Sequence, residues 1–377
     1  METFYLLLLV PIIWAFIAKR LLHATISWRE MGLQILASSL IVTAVFFLGK
    51  YSQTHDIEVW NGQIESKHRD HGHYIESYEC NCREVCSGSG QNRSCHRECD
   101  TCYRDHYTVD WYVKTTIGTI RLEYEDRLSR SVYNLPDPAH YTRAYVGEPC
   151  SREQSFTNYV KAVPESLFNK LDVKSLAKFD PMIPKYPRVH SHYKVNRVIP
   201  VGVRIPNIAE WNLLLGEHLR NLGPRKEANV ILVVANTPDQ TYRHALERAW
   251  IGGKQNDVIV VIGASQYPKI DWVDVITFGQ NAGNGLLAVQ IRDNLIKIGT
   301  LENHIPVIDS IATSVDGQFK RKHMEDYEYL KDEIHPPMWV LILAFILSIG
   351  ASGGLTYYFH QEDIFGTGGY HSRRRFR

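Results

Sequence analysis

Three apolar blocks at the two ends of the chain constrain it more than anything between them. They cover residues 3–18 (TFYLLLLVPIIWAFIA), 31–49 and 338–359. A bilayer core takes roughly 20 apolar residues, with about 17 at the short end. The second and third blocks meet that length, and the first meets it with its flanks. A cleaved secretory signal carries its positive charge ahead of the apolar run. Here Glu2 precedes the first block and Lys19 and Arg20 follow it, so a retained helix is expected.

Basic residues orient all three blocks together. The loop between the first two holds Lys19, Arg20, His23 and Arg29 against one acid, Glu30, and the tail carries Arg373, Arg374, Arg375 and Arg377. Short basic flanks stay cytoplasmic, and a basic run beside a span anchors topology or lipid headgroups. Both clusters satisfy one parity: N-terminus outside, loop inside, residues 50–336 outside, tail inside. The expected location is the inner (cytoplasmic) membrane, multi-pass, with the large middle on the extracytoplasmic, periplasmic side and the lipid bilayer as a partner.

Composition then limits what the middle can be. The 377 residues include 42 Lys or Arg and 41 Asp or Glu, a net charge of +1. With 22% charged and 11% aromatic residues, a disordered tail and a generically basic nucleic-acid binder are both excluded. All seven cysteines fall between residues 80 and 150.

Residues 57–64 (IEVWNGQI), 107–115 (YTVDWYVKT) and 119–124 (TIRLEY) read as strands, rich in β-branched and aromatic side chains, with Gly118 as a turn. Between the first two lies the cysteine cluster: Cys80, Cys82 and Cys86, a Ser-Gly-Ser-Gly turn at 87–90, then Cys95, Cys99 and Cys102. If that turn closes a hairpin, nested pairs 86 with 95, 82 with 99 and 80 with 102 have position sums of 181, 181 and 182, as an antiparallel register requires. An extracytoplasmic location favours disulfides over thiols, although six cysteines allow many connectivities. The competing reading is zinc on Cys95, Cys99, Cys102 and His96, with His71, His73 and His106 near in sequence. Only Cys99 and Cys102 have the Cys-x2-Cys spacing of a structural knuckle. Cys150 is left odd. The run from His68 through His71 to His73 reads as a solvated loop, and Asn92-Arg93-Ser94 is a glycosylation sequon by pattern.

Nine prolines and little periodicity mark 125–206 as an irregular connection, with one short helix at 167–176 and a surface His190-Ser191-His192. From 207 the pattern changes. Trp211, Leu214, Leu215, Leu219 and Leu222 share a face of a helix over 209–222, which Gly223 and Pro224 should stop. Residues 229–235 (NVILVVA) and 257–263 (DVIVVIG) are continuous apolar runs, the mark of buried strands. Between them a helix over 238–252 carries Tyr242, Ala245, Leu246, Ala249 and Trp250 on one stripe, with Asp239 in its first turn, where a carboxylate suits the helix dipole. A strand within 272–279 and helices over 286–298 and 305–322 complete a mostly parallel α/β sandwich of about 120 residues.

The helix ending in Trp250-Ile251-Gly252-Gly253-Lys254-Gln255-Asn256 and leading into an apolar strand resembles the TPM domain (TPM phosphatase-like) family. That family's tract reads W-x-I-G … N-G-V-L-L, matched by Trp250, Gly252, Asn256 and residues 258–260. The resemblance covers 207–325. It implies an α/β domain tethered by a transmembrane helix after it and, from the family's label, a phosphatase-type hydrolase. Asp257 stands where the family has Gly, residues 278–285 replace its Gly-Tyr-Gly-Leu-Glu stretch, and its Gly-rich tail shrinks to 366–369. The whole chain also resembles membrane proteins of tailed bacteriophages, in its cysteine block and two-plus-one span layout.

The expected organisation is an α+β membrane protein. It has two transmembrane helices and a short basic cytoplasmic loop in 1–49, then a Cys-rich β region over 50–135. A Pro-rich irregular connection follows over 136–206, a TPM-like α/β domain over 207–330, a third transmembrane helix over 338–359 and a basic cytoplasmic tail over 360–377. Two functions fit. A hydrolase needs carboxylates converging on a divalent metal (Zn, Ca or Mg) or acting as nucleophile and acid. Asp239, Asp257 and Asp274 are the candidates, with Asp271 and Asp293 also near element ends, but each also suits a helix start, a solvated strand start or open solvent. No nucleophile elbow, Walker lysine or His-Glu-x-x-His motif appears. The alternative is a membrane-anchored outer domain that binds another membrane or envelope protein, with no cofactor and no nucleic acid. Several anchors, a stapled β module and the missing catalytic signature favour binding, since a fold does not fix a function. A channel fits less well, because the second and third blocks hold no acid or base.

Overall fold

The computed structural model describes residues 6–21, 26–88, 94–122, 128–129, 136–163, 176–278 and 283–362. Residues 167–175 of the expected helix over 167–176, the sequon at Asn92, residues 279–282, the Gly-rich stretch at 366–369 and the terminal arginines lie outside the described residues. In chain order the helices are α1 (Val10–Leu21), α2 (Trp28–Thr54), α3 (Ala139–Arg143), α4 (Tyr159–Ala162), α5 (Ile208–Lys226), α6 (Tyr242–Ala249), α7 (Gly285–Ile298), α8 (His304–Gln318) and α9 (Met338–Glu362). The strands are β1 (His55–Ser87), β2 (Ser94–Thr115), β3 (Gly118–Leu122), β4 (Leu128–Ser129), β5 (Pro149–Thr157), β6 (Val198–Val201), β7 (Asn229–Ala235), β8 (Asp257–Gly263) and β9 (Trp272–Thr277). The chain divides into two compact units, one of Met1–Asp56, Ser155–Leu167 and His323–Arg377, the other of Ile57–Gln154 and Phe168–Lys322.

The first unit is helical. Two of its helices, α2 and α9, are long and apolar enough to cross a membrane. The first apolar block forms a 3-10 turn, Leu6–Leu9, and the 12-residue α1. Val42 and Val45 of α2 pack on Val340 and Ala344 of α9. A Cβ on Gly49 would meet Val340 at 2.7 Å, so the missing side chain permits the close approach. Polar groups tie the same helices: Trp14 Nε1 and Gln34 Nε2 donate to Thr356 Oγ1 at 3.1 and 2.8 Å.

The second unit holds two sheets. In the first, the order β3-β2-β1-β5 is built on one long antiparallel pair, β1 with β2, whose register runs from Ile64↔Thr115 to Ser87↔Ser94. Near its base Ile64, Val109, Trp111 and Val113 pack with Ile120 and Leu122 of β3 in a small core. The third strand ends early: β3 covers 111–115 of β2, and β4 covers only Tyr107 and Thr108. Beyond that, residues 73–87 and 94–106 form a two-stranded ribbon with no third strand among the described residues. Fifteen residues at roughly 3.3 Å each make it about 50 Å long. Three expectations are corrected here. The run 68–73 is strand β1, not a loop, with His68 stacked on Tyr112 and His73 on Tyr107. The cysteine cluster lies inside the two strands rather than between them. The connection 136–206 supplies β5 to this sheet and β6 to the next, so it belongs to both.

The second sheet has the order β6-β7-β8-β9, parallel except for the antiparallel β9. Every residue of β7 and β8 is buried, which is why both read as unbroken apolar runs. Pro200, which cannot donate to a ladder, sits in the edge strand β6. One face packs Val230, Leu232, Val258 and Val260 against α5, α7 and α8; the other packs Ile231, Val233, Ile259 and Val261 against α6. The crossovers through α5 and α6 step the same way across the sheet but cover opposite faces. They therefore have opposite hands, where right-handed crossovers are the rule.

Helix α5 corrects the reading of Gly223. It runs on to Lys226 and ends where Glu227 turns left-handed at φ 53°. Gly223 is buried inside it because the backbone of Asn61 lies against the position a Cβ would take. Helix α6 is shorter than the expected 238–252. Tyr242, Ala245, Leu246 and Trp250 are buried as read, but Ala249 faces out.

Candidate functional site

The three candidate carboxylates do not converge. Asp257 opens β8, whereas Asp239 follows the far end of the parallel strand β7, a strand length of about 20 Å away. Asp239 prefaces α6: its carboxylate accepts from Thr241 N and Oγ1 at 2.9 and 2.7 Å and from Lys178 Nζ at 2.6 Å. The Lys178 hydrogen bond, followed by those of Thr241, holds its pKa down at about 2. Asp274 pairs with Val261 across the sheet and faces Arg243 Nε at 3.7 Å. Asp271 accepts from Ser265, and Asp293 pairs with Arg292. Each of these acids has a local structural task.

Asp257 departs from the solvated strand start expected of it. It is fully buried, and its carboxylate accepts from Tyr186 Oη at 2.8 Å, Asn229 Nδ2 at 2.9 Å and Lys254 N at 2.7 Å. Burial raises its pKa to about 6 against the opposing pull of those donors. Tyr186 belongs to a proline-rich strap that crosses this face of the sheet. Met182 O accepts from Tyr242 Oη, and Pro184 O accepts from Trp250 Nε1 at 3.0 Å. The Trp250 ring is buried with Ile259 and stands edge-on to Tyr186 at 5.3 Å. Gly252 and Gly253 take φ of 72° and 83° to leave the helix, and Asn256 donates from Nδ2 to Val59 O at 2.8 Å. The strip that carries the family resemblance is therefore a joint between β1, the strap and β8.

From Asp257 a buried polar chain continues. Asn229 Oδ1 accepts from Arg197 Nε at 3.0 Å, and Arg197 Nη2 donates to Ser151 Oγ at 2.7 Å and to Asn61 Oδ1. Arg197 is only 4% exposed, and burial lowers its pKa to about 10, which leaves it charged at neutral pH. Beside it opens a cleft of about 330 Å³ that also holds Glu148, Cys150, Tyr193, Lys194, Leu213 and Arg220. Burial pushes the Cys150 thiol up to about 12, so it is not a ready nucleophile. Arg197, Asn61, Ser151, Asn229 and Tyr186 were not singled out in the sequence. One signal was there: Asn229 and Asp257 hold equivalent places before two near-identical apolar runs, and the ladder pairs them directly.

On the ribbon the six cysteines lie at disulfide distance as Cys80–Cys102, Cys82–Cys99 and Cys86–Cys95. Cys86 and Cys95 face each other directly, while a register shift between Cys80 and Arg83 brings Cys82 to Cys99. The zinc alternative on Cys95, Cys99, Cys102 and His96 loses its three sulfurs to these pairs. Along the ribbon Tyr103 is 71% exposed and Ile75 58%, with Tyr74 and Tyr78 also in solvent. Compared with known protein families, characterised proteins and solved structures, the chain gives no match.

Proposed function

We propose that this chain is a membrane-anchored binding protein whose disulfide-stapled ribbon reaches out to another membrane or envelope protein. One observation carries the reading. The ribbon exposes Tyr74, Ile75, Tyr78 and Tyr103 along a stretch that, among the described residues, has no third strand and adds nothing to a core. Tyrosines of this kind are favoured at the centre of interfaces, and a two-stranded hairpin is marginal in water unless something holds it. The staples hold it rigid without partner contact. The basic clusters and the three apolar blocks support a three-span anchor in the inner membrane with residues 50–336 outside. The tract around Trp250, Gly252 and Asn256 supports a TPM-like scaffold in a binding role. The hydrolase alternative lacks converging carboxylates among the described residues.

A photo-crosslinking side chain in place of Tyr103, in intact spheroplasts, should give a discrete adduct with an envelope or membrane protein. One in place of the equally exposed Leu286 should give none. No adduct at Tyr103, or protection of the middle region from protease added to intact spheroplasts, would sink the proposal.

A further inference from the structure

The cleft beside Arg197 is independent of the ribbon and carries a different inference. Every hydrogen-bond partner of the Arg197 side chain is neutral: Asn61, Ser151 and Asn229. Among the described residues no carboxylate lies within ion-pair distance of it, and its Nη1 has no hydrogen-bond partner. Asp257 is one amide removed: it makes no direct contact with Arg197, but its charge acts on the guanidinium across Asn229. A buried cation without an adjoining anion is costly, yet this one lines a cleft open to solvent. The other charges of the cleft are matched. Lys194 Nζ stands 3.7 Å from Glu148, and Arg220 donates to Gly147 O at 3.0 Å and pairs with Glu217 at 2.9 Å. Arg197 thus keeps an uncommitted guanidinium N–H beside the cleft, while its charge is balanced only at a distance, by Asp257 through Asn229. Around it Pro149, Val195, Leu213 and Leu219 give the cleft apolar walls.

We propose that this cleft binds a small organic carboxylate, its anionic group against Arg197 and its apolar body along Leu213 and Val195. One guanidinium already balanced in part by Asp257 suits a monoanion better than a phosphate dianion, which would bring a second charge with no cation to meet it. The cleft volume lies at the small end of ligand sites. Apolar walls with one placed polar contact are the usual makeup of such pockets.

The test uses the full chain in detergent micelles, with micelles alone as background, and fluorine NMR of 4-fluorobenzoate. Saturable binding with Kd on the order of 1 mM is expected. 4-Fluorobenzyl alcohol should bind at least about tenfold more weakly, and 4-fluorophenyl phosphate more weakly than the carboxylate. Arg197→Gln should abolish binding, although it opens a buried network and could fail to fold. Leu213→Glu covers that case: Leu213 is 60% exposed on α5, so the fold is kept while an anion is placed at the cleft wall. It should weaken benzoate about tenfold or more and leave thermal unfolding unchanged. Absence of saturable binding, equal binding of the alcohol, or full binding by folded Leu213→Glu would each overturn the proposal.

Discussion

Reduction of the three disulfides should melt the ribbon and leave the α/β sheet intact. The bridges close segments with sequence separations of 9, 17 and 22 residues. Loop-closure entropy assigns each, formed alone, about 3 kcal/mol. Because they are nested, the first closure counts in full and the later ones add less, so about 3 kcal/mol is a floor for losing all three. That figure decides the outcome because, among the described residues, 73–87 and 94–106 have no third strand and no core to fall back on. At about 1.4 kcal/mol per tenfold, amide exchange along the ribbon should rise about hundredfold or more on reduction. Exchange in Asn229–Ala235 and Asp257–Gly263, buried between helices, should not change. Removing only the tip pair, Cys86→Ser with Cys95→Ser, should fray the tip and leave 73–80 protected. Treatment with a chelator should do nothing. Hydrogen exchange by mass spectrometry on the full chain, with and without reductant, checks all of this. Unchanged ribbon exchange after complete reduction would refute the reasoning, as would equal acceleration in the α/β strands.

Three further outcomes follow from the buried joint. Trp250→Ala removes a packed ring and its bond to Pro184 O, and should cost about 3–5 kcal/mol in chemical denaturation; Trp250→Phe should cost about 1 kcal/mol. Asp257 has a pKa near 6 in the folded chain, above its unfolded value, so the native state binds the proton more tightly. Its contribution to stability is therefore most favourable at low pH and is lost as pH rises through about 6. The stability difference between wild type and Asp257→Asn should shift by about 2 kcal/mol in favour of wild type from pH 7 to pH 4.5; a pH-independent difference rejects the assignment. Gly223→Ala improves helix propensity but drives a Cβ into the backbone of Asn61, and should destabilise by about 1–3 kcal/mol; a stabilised variant would show that β1 does not lie there.

What could be read from the residues depended on whether burial had written a pattern. NVILVVA and DVIVVIG announced β7 and β8 because both faces of each strand are covered. The cysteine ladder was legible because nested cross-strand pairs have near-constant position sums. The run 68–73 was missed as a strand because it projects into solvent, where no alternation is imposed. Gly223 was read as a stop because a sequence does not show a neighbouring backbone from another part of the chain. The Arg197 network was invisible for a related reason. Asn61, Ser151, Arg197 and Asn229 come from four separate segments, and each alone looks like an ordinary surface polar residue.

Strand β1 runs unbroken from the joint at Asn61 and Val59 to the stapled tip at Cys86. Its ladder bonds to β2 lie across the strand axis. A pull on the tip along the ribbon is therefore carried by the covalent backbone and by many cross-bonds loaded side by side, rather than by one bond at a time. The bridges between 80 and 102 stop the two strands from peeling apart at the point of loading. The ribbon is thus a short stiff rod, fastened at its base by an internal polar knot and at its tip by sulfur.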